Sequence, residues 1–548
     1  MVTDEFAHRP SNQAPPLEGV STVASDRALR DAVRAYAGDQ ADAVLASLSD
    51  LGELAGSAEA REHGLAANAH PPRLRTVDRF GNRVDEVDFH PSYHWLMDQS
   101  VRAGLHAAAW TSDRPLPHLR RAAGYVAWGH VDPGHGCPMT MTYAAVPALR
   151  ADPALAATWT PRLAAPTYDP RLGDPDGKPS ALAGMGMTEK QGGSDVRANV
   201  TTATPAGEQY LLRGHKWFTS APMNDVFLVL AQAPGGLTCF LLPRVLPGGE
   251  RNRIALVRLK DKLGNRSNAS SELELHDAFA WRLGDEGAGV RTIIEMVAAT
   301  RLDCVLGSAS LMRRGVAEAT WHAAHRSAFG RRLVDQPAMT AVLADLAVES
   351  EAATMLGLRL AAAVERPDDP AEAALRRIGL PAAKFWVCKR TPTHVAEALE
   401  VLGGNGYVEE SGMPLLFRES PLNSIWEGSG NVNALDLLRA LVRTPETLDA
   451  WRDEVDAAAD ERLLAPTDEV LKVVAGLGDA DAAAQQARWL ASRFAVLLQA
   501  SLLVRHSDPA VADAFVATRV SGEPTGVLGM LPATTDVRAV VERASVTG

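Results

Sequence analysis

Hydrophobic and polar positions along the chain fall into successive textures. From about residue 27 to 170 the sequence reads as helices broken by Pro-rich and Gly-rich connections, such as Pro71-Pro72 and Asp132-Pro133-Gly134. Between 180 and 285 the period changes. Val226-Phe227-Leu228-Val229-Leu230 and Thr238-Cys239-Phe240-Leu241-Leu242 flank Pro234-Gly235-Gly236, which predicts a hairpin of buried strands. Glu272-Leu273-Glu274-Leu275-His276 alternates as a half-exposed strand does. After Gly287 helical spacing returns, through Ile294, Val297, Leu302, Val305 and Leu306, then Met339, Val342, Leu346, Ala353, Leu356 and Leu360. Such long amphipathic patterns usually make an antiparallel bundle. Past residue 441 helix-like sequence rich in Ala, Asp and Glu continues, interrupted around Gly522-Glu523-Pro524. No internal repeat or low-complexity tract is present. This order predicts an α+β chain divided at 1–180 (helical), 181–287 (β), 288–441 (helical bundle) and 442–548 (extra helical segment).

Composition narrows the picture. A chain of 548 residues is too long for one ordinary core, and 46% hydrophobic with 22% charged residues describes a globular protein. Abundant alanine and only 5% aromatics favour helices over sheets. The net charge of -12 excludes an overall basic surface, so any nucleic-acid role needs a local basic patch. Cys137, Cys239, Cys304 and Cys388 are scattered without a C-x-x-C pair, which argues against disulfides and structural zinc and for a reducing compartment. The opening MVTDEFAHRPSNQAPPLEG lacks the apolar core of a targeting peptide, and no uninterrupted apolar stretch has bilayer length. The expectation is a cytoplasmic protein without a membrane segment. His135 and Cys137 lack companions at ligand spacing, so no metal site is expected.

Five short segments carry candidate chemistry. Met187-Thr188-Glu189-Lys190-Gln191-Gly192-Gly193-Ser194-Asp195 offers hydroxyls and backbone N–H groups in a compact turn, suited to a flavin edge or a phosphate, although polar loops of this kind often bind nothing. Gly214-His215-Lys216-Trp217-Phe218-Thr219-Ser220 could wall a planar ring, or be a strand with two core aromatics. His325-Arg326-Ser327-Ala328-Phe329-Gly330-Arg331-Arg332 with Gln336 suits a pyrophosphate and an adenine, and equally a solvated helix end. Leu402-Gly403-Gly404-Asn405-Gly406-Tyr407 lets backbone approach a ligand, and also looks like a helix C-cap. Ile425-Trp426-Glu427-Gly428-Ser429-Gly430-Asn431 sets one carboxylate between apolar and small residues. Desolvation there would raise its pKa and make it a usable base near neutral pH, whereas most lone glutamates are surface acids.

Taken in this order, from about residue 90 to 440, the segments resemble the acyl-CoA dehydrogenase superfamily. GMGMTEKQGGSDV, HGCPMT from His135 to Thr140, LKDKLGNRSNAS from Leu259 to Ser270, PAAKF from Pro381 to Phe385, NSIWEGSGN and the extra C-terminal segment resemble its alkylation-response branch in particular. The resemblance implies an N-terminal helical domain, a middle antiparallel β-barrel, a C-terminal four-helix bundle and FAD held between barrel and bundle. It implies that Met185, Met187, Thr188, Gly193 and Ser194 touch flavin and pyrophosphate, and that Trp217, Phe218, Thr219 and Ser220 line the isoalloxazine. Arg326, Phe329 and Gln336 would hold the distal half of the cofactor, and Gly403 and Gly404 the pyrophosphate of an adjoining subunit. Trp426, Gly428, Gly430 and Asn431 would close over the flavin. Glu427 occupies the place of the base that removes the proton α to an acyl-CoA thioester. The resemblance further implies a homotetramer, a link to DNA alkylation damage with weak dehydrogenase activity, and double-stranded DNA contact through Arg439 and Arg519. The acidic balance of residues 451 to 548, with Asp453-Glu454 and Asp468-Glu469, opposes that contact. A working dehydrogenase of short or branched acyl-CoA thioesters is the alternative.

Overall fold

The computed structural model describes residues 11–522 and 526–546. The opening residues read for a targeting sequence begin outside that range, as do Glu523 and Pro524.

The N-terminal segment packs helices α1 (Arg27–Ala37), α2 (Ala41–Ala46), α3 (Ser49–Ala55), α4 (Ala58–Ala69), α5 (Pro91–Arg102), α6 (Pro117–Trp128), α7 (Gly136–Leu149) and α8 (Pro153–Leu163). Local chemistry sets their starts: the Asp26 carboxylate accepts from Leu29 N, and the Asp152 carboxylate accepts from Ala154 N and Leu155 N ahead of Pro153. A hairpin of β1 (Arg73–Val77) and β2 (Arg83–Asp88) interrupts the helices, where the sequence predicts none. Its strands are too polar to read as buried, and it docks on the barrel through Arg83 Nη2 to Leu256 O, 3.2 Å, and Arg244 Nη2 to Asp85 O, 2.9 Å.

The middle segment carries β3 (Ala183–Gly186), β4 (Thr202–Ala206), β5 (Gln209–Ser220), β6 (Val226–Ala233), β7 (Gly236–Pro243), β8 (Ile254–Leu259) and β9 (Ser270–Leu283). Pairing runs β6-β4-β5-β9-β7 and back to β6, which closes a barrel, with β3 added to β6 and β8 to β9. The sheet is not wholly antiparallel: β3 and β4 both lie parallel to β6. The apolar runs of β6 and β7 are continuous because both faces are buried. Phe227, Val229, Phe240 and Leu242 join the barrel interior, while Leu228, Leu230, Cys239 and Leu241 meet Leu149, Trp159, Ile293 and Met296 of the surrounding helices. Each such aliphatic or aromatic side chain contributes about 1.5–3 kcal/mol on burial.

The chain then enters α9 (Gly289–His325), 37 residues long. A two-residue-per-strand hairpin, β10 (Ser327–Ala328) and β11 (Arg331–Arg332), leads to α10 (Pro337–Ala362), α11 (Pro370–Val401), α12 (Met413–Glu419) and α13 (Gly430–Arg443). Helix α11 touches α9, α10 and α13, which makes the bundle. Beyond it α14 (Glu446–Asp456), α15 (Leu464–Ala475), α16 (Ala480–His506), α17 (Pro509–Phe515) and α18 (Val537–Ala544) wrap the same core, so the N-terminal, bundle and C-terminal helices share one apolar cluster. By length and mean hydropathy α16 could cross a membrane, despite interrupting charges. It is 72% buried over its most apolar stretch, against α10, α11, α13 and α14, and serves as a core helix.

Candidate functional site

The loop from Met187 to Ser194 is stapled to β5. Glu189, fully buried, bonds Lys216 Nζ at 2.6 Å and accepts from Val200 N at 2.7 Å, and Lys216 also reaches Leu230 O at 2.7 Å. Burial alone would raise the Glu189 carboxyl, but the adjacent ammonium and the N–H donors hold it down at about 2. Trp217 N donates to Thr188 O at 2.8 Å, so two of the five segments are in direct contact. At Gly193 any Cβ would strike the Thr188 hydroxyl, which restricts that position to glycine. Ser194 stands exposed beside it, and Met185 and Met187 pack with Trp426 on one apolar cluster.

Of the four residues expected to line a flavin ring, two point outward from β5, with Lys260 Nζ 4.6 Å from the centre of the Phe218 ring. Phe218 is 49% exposed and Ser220 half-buried on alternate positions of β5. Thr219 is fully buried, its hydroxyl near Gly186 and without a hydrogen-bond partner among the described residues, and Lys260 Nζ stands 3.4 Å from the centre of the half-buried Trp217 ring.

Glu427 lies in the strap between α12 and α13. Its backbone adopts φ of 58°, a left-handed conformation that costs a non-glycine residue on the order of 1 kcal/mol or more and marks a residue held for its position. The strap is fixed from three sides. Arg301 Nε donates to Glu427 O at 3.1 Å while its Nη1 pairs with Asp436 at 2.7 Å; buried Lys384 donates to Gly428 O at 2.7 Å and Asn423 O at 3.0 Å; and Asn433 Nδ2 donates to Gly428 O at 2.6 Å. Gly428 has φ of 93°, and at Gly430 a Cβ would meet the Lys389 side chain. Asn431 is exposed, and its Oδ1 accepts from Arg488 Nη1 of α16 at 2.9 Å. The carboxylate itself accepts from Thr300 Oγ1 at 2.6 Å. Burial raises its pKa, against the restraint of Thr300, Lys384 and Arg301.

The cavity under Trp426 includes Cys137 in its wall. Burial pushes that thiol up to about 12, and the Glu427 charge adds to the rise, so Cys137 serves as packing and not as a nucleophile. His135 on the same wall is occupied by Trp128, Ser100 and Asp132.

The remaining segments lie elsewhere. Arg326 Nη1 donates to Asn12 O at 2.6 Å, Gln336 Nε2 donates to Ala328 O at 2.9 Å, and Phe329, 98% exposed at φ of 52°, caps the small hairpin. Asn12 also bonds Ser327, and its neighbour Gln13 accepts from Asn405 Nδ2 at 3.3 Å, which ties the hairpin to the turn Gly403–Tyr407. Thr300 and Arg326 are separated by the C-terminal part of α9, about 38 Å at 1.5 Å per residue. That exceeds the reach of an extended dinucleotide. The five segments therefore form two half-sites at opposite ends of α9, and Arg326, Phe329 and Gln336 stand with the turn expected to serve an adjoining subunit rather than with their own chain's β5. Each fits its share of an FAD: a half-exposed aromatic and a hydroxyl at one end, and at the other an exposed aromatic with Arg326 and a turn where a Cβ at Gly403 or Gly404 meets nothing within 4 Å.

Sequence reasoning missed the residues that hold the site: Glu189, Lys216, Thr300, Arg301 and Lys384. The available signal was a lysine within an apolar run, as in Pro381-Ala382-Ala383-Lys384-Phe385. Of the two arginines expected to meet DNA, Arg439 is exposed on α13. Arg519 is not available, because it pairs with buried Asp345 at 2.5 Å and Glu349 at 3.0 Å.

Three family models match the chain: the adaptive response protein AidB N-terminal domain over 12–170, the acyl-CoA dehydrogenase middle domain over 184–278 and the acyl-CoA dehydrogenase C-terminal domain over 287–442. The chain is 49% identical to the putative acyl-CoA dehydrogenase AidB of Escherichia coli, over 79% of this chain and 80% of that one. Its fold is similar to Caenorhabditis elegans ACDH-11, solved in complex with C11-CoA, at TM-score 0.84 and 28% identity, covering 95% of each chain. It is similar in fold to an acyl-CoA dehydrogenase from Bacillus anthracis complexed with FAD, at TM-score 0.63 and 19% identity, covering 83% of this chain and 79% of that one. With its closed barrel, its helical bundle and a half-buried glutamate on the strap between α12 and α13, the chain belongs to the AidB branch of the acyl-CoA dehydrogenase family, FAD-dependent oxidoreductases that act on CH–CH bonds.

Proposed function

We propose that the chain oxidises an acyl-CoA thioester between its α and β carbons, with Glu427 as the base that takes the α proton. The observation that carries this reading is the placement of Glu427: a carboxylate with raised pKa, oriented by Thr300, on a strap pinned by Arg301 and Lys384, beside the strand that offers Phe218 and Ser220. FAD, when bound, supplies the hydride acceptor. Ser220 and the loop Thr188–Ser194 would hold its flavin end. Arg326, Phe329, Gln336, Gly403 and Gly404 of a neighbouring copy would hold its distal end, because no single chain brings both half-sites together. A groove of about 440 Å³ behind the Arg301–Asp436 pair, with Arg150 and Arg376 on its walls, suits the phosphates of CoA. Anaerobic mixing of the holoenzyme with a panel of acyl-CoA thioesters should bleach the flavin; a panel that leaves it oxidised rejects the reading.

The shared half-site has its own expected result. Since a Cβ at Gly404 meets no atom within 4 Å among the described residues, Gly404→Val should leave the thermal stability of the FAD-free protein unchanged. Crowding against a neighbour's cofactor should still weaken FAD binding by about 10-fold or more. Titration of the apoprotein with FAD, followed by flavin fluorescence, measures both forms. A role in the alkylation response through double-stranded DNA rests on kinship with AidB and on Arg439. With Arg519 internally paired it has the weaker support, and the dehydrogenase reading is preferred.

A further inference from the structure

Ser220 ends a chain of hydrogen bonds that begins at a cation. Half-buried Lys262 lies between β8 and β9, and its Nζ donates to Asn268 O at 2.5 Å and to Ser270 Oγ at 3.1 Å. Ser270 Oγ in turn lies 3.2 Å from Ser220 Oγ. An ammonium has hydrogens to give and no lone pair to accept with, so Lys262 sets the sense of the whole chain. Ser270 accepts from Lys262 and sends its own hydrogen to Ser220. Ser220, already an acceptor, keeps its hydrogen for a ligand. The Cys137 thiol nearby competes poorly for it, because sulfur accepts weakly.

The cation is also left without a counter-ion. Lys216 and Lys260 each sit on a carboxylate at 2.6 Å, whereas Lys262 forms no ion pair among the described residues. Burial lowers its ammonium to about 8, against the attraction of Cys137 and Glu419, so the charge persists at neutral pH. A cation withdrawn from water without a partner is costly, and such a charge is useful where negative charge develops during a reaction. Hydride transfer to a flavin delivers two electrons and one proton and leaves the ring anionic.

We infer that Lys262 is a positioning residue that acts through Ser270 to hold Ser220 as a donor to the isoalloxazine rim, and that its charge raises the reduction potential of the bound flavin. This rests on the placement of Ser220 at the flavin end proposed above. The test is an equilibrium measurement on the holoprotein without any thioester. The flavin is reduced stepwise beside a reference dye, and the ratio of reduced to oxidised flavin is read at a fixed state of the dye. Lys262→Met should lower that ratio about 10-fold or more, a shift of about 30 mV for a two-electron couple. Lys262→Arg, which keeps a charge and donors, should restore most of it. Ser270→Ala cuts the chain and leaves the cation in place, so it should produce part of the shift. A purely structural lysine would change the melting temperature or the FAD affinity without moving the potential of the flavin that stays bound. Lys262→Gln, which keeps a donor for Ser270 and loses the charge, provides the same reading should the methionine variant not hold FAD. If neither neutral variant moves the potential while Ser220→Ala weakens FAD binding, the inference is overturned and the placement of Ser220 stands. If Ser220→Ala changes neither FAD binding nor the potential, the placement falls and the inference falls with it.

Discussion

Replacing Glu427 by glutamine is expected to slow reduction of the flavin by any reactive acyl-CoA by about 10²–10⁴-fold while FAD stays bound, since a positioned base contributes in that range. Glutamine keeps an oxygen for the Thr300 hydroxyl and leaves the strap contacts to Glu427 O and Gly428 O intact, so the variant isolates the proton-accepting function. The pH dependence has a definite sign. The working form is the carboxylate, and burial raises its folded pKa above the ordinary value of about 4.3. The rate of bleaching should therefore fall as pH drops through that raised value, and the variant should lose this limb. A rate that survives the substitution, or an unchanged acid limb, would assign the base elsewhere.

Glu189→Ala should be among the most damaging changes in the chain. It leaves Lys216, fully buried, without its carboxylate, and breaking a buried pair from one side costs about 3–5 kcal/mol. The loop that presents Thr188, Gly193 and Ser194 loses its staple at the same time, so FAD affinity should fall together with the melting temperature. The double variant Glu189→Ala with Lys216→Met should recover part of the stability, because it removes the orphaned charge. The pair also sets an acid limit. Its carboxyl is depressed to about 2 in the fold, below an unfolded value of about 4.3, so its stabilisation is present above the unfolded value and disappears as pH falls towards 2. Denaturant melts of the two variants at neutral pH and at pH 3 separate these effects.

What could be read in advance depended on how local the cause was. The runs of β6 and β7 are legible because both faces of each strand are buried and every position is apolar. The β1–β2 hairpin is not, since its polar strands are docked through Arg83 and Asp85 on residues far along the chain rather than by their own pattern. The five motifs were legible as motifs. Their arrangement was not, because it depends on the length of α9, which no motif records. Within the motifs, strand alternation turned Thr219 inward and left Phe218 and Ser220 facing out. Arg519 shows the same limit: its partners Asp345 and Glu349 precede it by more than a hundred positions, so a surface role could not be told from an internal ion pair.

The stiffness of α9 has a genetic consequence. On the proposed shared site, one chain would give a glutamate to its own flavin and, from the other end of the rod, a glycine turn to its neighbour's. Lesions at the two ends should then complement each other: subunits lacking Glu427 but sound at Gly404, mixed with subunits of the reverse kind, would assemble one competent centre for each one lost twice over.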